Sequence, residues 1–147
     1  MKHIIVGAVV FGAISASPAF AAGQTFQGDF DPVPHDNSTR DNVVGSGTIS
    51  ATLLDGTLTV QGNFSGLSST ATAAHLRIGA AMGVPGPVIG DLRATAAAEG
   101  EISGSVKLNA AQVTALKKGA LYIELDSAKA PDGNSWGWLE SPDASRR

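Results

Sequence analysis

The most constraining stretch of this chain is a pair of alternating segments joined by two residues. Over residues 57–64, Leu58, Val60, Gly62 and Phe64 fall on one face, and Thr57, Thr59, Gln61 and Asn63 on the other. A period of two belongs to an extended strand with one buried face. The preceding segment, residues 47–54, is rich in Thr, Ile and Leu. Between the two stands Asp55-Gly56. Asp-Gly supplies the two positive φ angles of a type I′ turn, so the segments are predicted to form a tight antiparallel hairpin.

The same alternation recurs along the chain. Ile102, Gly104, Val106 and Leu108 alternate with Glu101, Ser103, Ser105 and Lys107; Leu121, Ile123 and Leu125 alternate with Tyr122, Glu124 and Asp126. Further strands are expected over residues 24–30, 87–92 and 135–140, the last after an Asp132-Gly133-Asn134 turn. One helix is expected over residues 110–117. Asn109 is a good N-cap, Val113 and Leu116 share a face, Lys117 and Lys118 favour the C-terminal dipole, and Gly119 can close the helix.

About eight short strands with regular turns and one short helix argue for an all-β fold. The expected architecture is an antiparallel Greek-key β-sandwich, immunoglobulin-like or superoxide-dismutase-like, with a small closed β-barrel as the alternative. Residues 31–44, with Pro32 and Pro34, read as a long loop, and residues 141–147 as a frayed tail.

The chain has 147 residues, which suits a single domain, and no cysteine. Disulfides, thiolate chemistry and cysteine-built metal centres are therefore excluded. Residues 1–21 read as a signal peptide: Lys2, an apolar run over residues 4–14 too short to span a bilayer, and the small-residue site Ala19-Phe20-Ala21. The remaining 22–147 is expected to be one domain, with its core over about 26–139, exported to the periplasm or secreted, with no membrane span after cleavage. It would keep nine basic and thirteen acidic residues, and two histidines, His35 and His75. That acidic balance gives a nucleic-acid partner little support.

From about Phe26 to Leu139 the chain resembles the CHRD (chordin-like) domain family of exported bacterial proteins. The marks run in the family's order: Phe30-Asp31-Pro32-Val33-Pro34, Gly47-Thr48, Gly66-Leu67, and Thr72-Ala73-Ala74-His75-Leu76-Arg77-Ile78-Gly79. Gly86-Pro87-Val88-Ile89 and Gly104-Ser105-Val106 follow, then the helical stretch from Leu108 to Gly119. Tyr122-Ile123-Glu124-Leu125-Asp126-Ser127, Pro131-Asp132-Gly133 and Gly137-Trp138-Leu139 close the series. Three polar positions depart from the family pattern. His75-Leu76-Arg77 stands where the family has His-x-His, Asp126 where it has a histidine, and Gly133-Asn134-Ser135-Trp136-Gly137 where it has Gly-Glu-Ile-Arg-Gly. The resemblance implies an extracellular interaction or structural module with no enzymatic activity and no cofactor.

Two groups of residues can carry chemistry. His75 and Arg77 share one strand face, and Tyr122, Glu124 and Asp126 share another. The family alignment implies that these faces meet. They then form either a structural ion-pair cluster, with Arg77 on Asp126 or Glu124, or a site for a polar ligand or for copper or zinc built from His75 and Asp126, with Glu124 as a further candidate. Arg77 cannot ligate a metal and opposes a nearby cation, which favours the ion pair. Trp136 and Trp138, two apart, face one side together. They offer either core bulk, with at least one of them buried, or a contact for a protein or polysaccharide. Serine hydrolysis lacks a Gly-x-Ser-x-Gly elbow, and the glycine-rich 79–90 lacks the lysine and helix of a phosphate loop.

Overall fold

Asp55 takes a φ of 51° and Gly56 of 76°. The hairpin they close joins β2 (Ser46–Leu54) to β3 (Thr57–Ser65), paired over their full length with Leu54 opposite Thr57. Leu58, Val60 and Phe64 are buried and Thr59, Gln61 and Asn63 exposed, as the alternation requires. The computed structural model describes residues 23–144, so the expected signal peptide, residues 1–21, and the last three residues of the expected tail lie outside the described residues. The other elements are β1 (Gln24–Pro32), β4 (Ala71–Ile78), β5 (Val88–Ala94), β6 (Gly100–Lys107), α1 (Ala110–Lys117), β7 (Leu121–Ser127) and β8 (Ser135–Trp138).

All neighbouring strands are antiparallel, in the order β1-β2-β3-β6-β5-β4-β7-β8, and β8 pairs back onto β1. The connections from β3 to β4 and from β6 to β7 each pass over two strands, which gives the Greek-key path. The fold is therefore a closed barrel and not the expected sandwich. The correction has a definite physical origin. Two well-paired four-strand halves, β1-β2-β3-β6 and β5-β4-β7-β8, are joined by thin ladders. One ladder is Arg93–Ser103 and Ala94–Ile102. The other is Asp31–Trp136 and Pro32–Ser135, extended by a bridge between Gln27 and Glu140. A sandwich leaves such edges open; here each edge is zipped by a few hydrogen bonds, which removes the free strand edge.

The interior is aliphatic and phenyl: Phe26, Phe30, Leu58, Leu76, Ile102 and Ile123 are among its buried side chains. Glycines let large residues sit there. A β-carbon on Gly137 would overlap the Ile49 side chain, and one on Gly104 would crowd Leu92. Helix α1 crosses from β6 to β7. Asn109 accepts from the Gln112 amide while the Gln112 side chain accepts from the Asn109 amide, each at 2.9 Å, a full capping box. Only Leu116 of the helix is buried, with Val113 packed beside the core.

Candidate functional site

The polar residues singled out from the sequence converge on the outer face of β4, β7 and β8. Strand register does this. His75 stands opposite Glu124, and Arg77 opposite Tyr122, between β4 and β7. Tyr122 stands opposite Trp138, and Glu124 opposite Trp136, between β7 and β8. The alternate residues Leu121, Ile123 and Leu125 fill the interior. Strand β7 is buried on both faces, so its outer row of Tyr122, Glu124 and Asp126 is covered too.

The charges close on one another. Arg77 Nη2 lies 3.0 Å from Glu124 Oε1, and Arg77 Nη1 donates to the Gly86 carbonyl at 2.9 Å. His75 Nδ1 lies 2.9 Å from Asp91 Oδ1, and its Nε2 lies 3.3 Å from Asp126 Oδ2. Asp91 is largely exposed, whereas the Glu124 and Asp126 side chains are each only 10% exposed. Burial, with the neighbouring Glu124 charge, pushes the Asp126 carboxyl up to about 6, while His75 and Arg77 pull it the other way. Asp126 Oδ1, Arg77 Nε and Trp138 Nε1 are buried without hydrogen-bond partners.

The aromatic residues complete the patch. Tyr122 is fully buried and stacks on Trp138, ring centroids 4.3 Å apart at 27°. Trp136 meets Tyr122 and Trp138 edge-on at 5.8 and 5.4 Å. The Gly86 amide donates to the Tyr122 hydroxyl at 3.0 Å, which ties the loop before β5 over the ring. Neither tryptophan enters the core. Both are half-buried on the outer surface, against the expectation that at least one would be core.

Two residues of this region were not singled out from the sequence. Asp91 reaches His75 only because β4 and β5 place them opposite each other, a register that no local pattern announces. Asn134 is fully buried. Its Nδ2 donates to the Val44 carbonyl and to Ser135 Oγ, and its Oδ1 accepts from Ser127. It fastens the loop after β1 to β7, although its place in a turn hides that role. His35 is exposed and bonds the Val33 carbonyl, remote in sequence from the cluster. Among the described residues no group of three or more His, Asp and Glu side chains is arranged to hold a metal ion, and no helix is long and apolar enough to cross a membrane.

Neither a curated protein nor a solved structure matches the chain. The model of the CHRD domain matches residues 25–134, which span β1 to the Asn134 clasp and include His75, Arg77, Tyr122, Glu124 and Asp126. The chain therefore belongs to the CHRD domain family.

Proposed function

We propose that this chain is an exported, non-catalytic CHRD module that binds a protein or polysaccharide outside the cytoplasm, in the periplasm or beyond the cell. The observation that carries the reading is the internally paired cluster. Arg77 is engaged by Glu124, and both ring nitrogens of His75 face carboxylates of the same chain. Such a set fixes β4, β5 and β7 to one another and presents no activated nucleophile. The competing reading is a copper or zinc site at His75 and Asp126. Titration of the protein with each metal, followed through the His75 ring signals, separates the two. We expect unperturbed signals at micromolar metal. Sub-micromolar binding that disappears in His75→Ala overturns the proposal.

A second reading, polysaccharide contact through Trp136 and Trp138, draws support from their half-exposed position on the outer face. Glycan-induced shifts of tryptophan emission would support it.

A further inference from the structure

A concave feature lies beyond the charged cluster, on the outer face of β1, β2, β3 and β6. It is a cleft of about 880 Å³. Two rows of outward side chains cross it in register. One row is Gln27, Ser50, Gln61 and Ser103; the other is Asp29, Thr48, Asn63 and Glu101. The row between them, Gly28, Ile49, Gly62 and Ile102, faces inward, so backbone forms the floor. Met82, Trp138, Glu140 and Pro142 also line the cleft. The Gln27–Glu140 bridge carries the C-terminal segment alongside β1.

The donor set selects the ligand. Six of the eight residues in the two rows are amides or hydroxyls, groups that donate and accept at once. The remaining two are Asp29 and Glu101, which accept from hydroxyls. Among the described residues no lysine or arginine lines the cleft, whereas Asp31 and Glu140 add negative charge. Anionic chains are therefore repelled. A basic peptide would leave most of the amides and hydroxyls to water. A polymer of uncharged sugars matches both features, with hydroxyls for the polar rows and an apolar ring face for Trp138. Adjacent strands stand about 4.8 Å apart, so each four-residue row spans about 14 Å, room for a short run of sugar rings.

We propose that this cleft is a binding site for a neutral polysaccharide chain. The inference rests on the binding-module reading above and adds to it a site and a ligand class. The test uses the full folded chain with four probes: β-1,4-glucan and β-1,3-glucan hexamers, a chitosan hexamer, and polygalacturonate. Calorimetry gives the affinities, and amide NMR shifts locate the contact. We expect at least one neutral hexamer to bind, to shift amides of β2, β3 and β6, and to bind about tenfold more weakly to the doubly substituted Gln61→Ala, Asn63→Ala protein, for two lost hydrogen bonds. Both side chains are exposed, so the variant should keep the parent melting temperature, which is the fold control. Binding unchanged in that variant, shifts confined to Trp136 and its neighbours, or binding of chitosan or polygalacturonate alone would each overturn the site. No binding of any neutral hexamer would overturn the ligand class, while leaving the module reading to its own metal titration.

Discussion

At the scale of single residues, the charged cluster behaves as a closed set whose members depend on one another. Removing Arg77 leaves the Glu124 carboxylate buried and alone. Arg77→Ala should therefore cost about 2 kcal/mol in chemical denaturation, less than a wholly buried pair because the guanidinium is partly exposed. Adding Glu124→Gln to that variant should recover part of the loss, which a double-mutant cycle measures. Asp126 carries the pH dependence. Its folded value, about 6, lies above the ordinary 3.8. Between those values the folded state holds a proton that the unfolded chain has lost. This residue's contribution to stability should accordingly rise as pH falls from 7 towards 4, and fade as pH climbs through 6. Asp126→Asn should flatten that slope in melting curves, and the carboxyl carbon of Asp126 should titrate near 6 by NMR. Burial raises that value most; of the groups facing the carboxyl, Glu124 adds to the rise and His75 and Arg77 oppose it. The parity of Tyr122, Glu124 and Asp126 could be read from the sequence because a strand alternates by two. Asp91 could not, because its partnership with His75 exists only through hairpin register between two strands.

At the scale of elements, local chemistry decided most of the outcome. The helix runs from Ala110 to Lys117 as expected, because Asn109 and Gln112 close its first turn and Gly119, at a φ of 77°, ends it. The β2–β3 hairpin follows from two residues, so Gly56→Ala should lower stability by about 1 kcal/mol in denaturant melts, the cost of a left-handed β-carbon. Strand β1 runs on to Pro32, into residues that had read as loop. Pro32 is tolerated because it is the last residue of its strand, beside the short β8. The inward glycines are a subtler case. Gly137 reads as an ordinary strand weakness, yet its missing side chain is where Ile49 sits. Gly137→Ala should destabilise by about 1–3 kcal/mol through overpacking. Ile49→Val removes the offending methyl and should rescue much of that loss, a coupling that independent sites would not show.

At the scale of the whole molecule, the choice between sandwich and barrel turns on very few hydrogen bonds. Periodicity reports which face of a strand is buried, and that is the same for both architectures. It carries no information on whether β5 reaches β6 or β8 reaches β1, so the closure was not legible in the chain. The two joining ladders are short, whereas β2 and β3 pair over nine residues. Amides of Arg93, Ser103 and Trp136 should therefore exchange with solvent faster than those of Val60 and Ala51, measurable by native-state hydrogen exchange. Equal protection at the seams and in the central hairpin would contradict this picture. The aromatic patch has a further consequence. The chain has one tyrosine and two tryptophans, and all three rings lie within 6 Å of one another. Apart from weak phenylalanine bands, the near-ultraviolet spectrum of the protein therefore originates at one spot on its surface, beside the polar cleft. Stacked chromophores at such separations share their excitation, so circular dichroism in that region acts as a built-in gauge of this one corner, blind to the rest of the barrel.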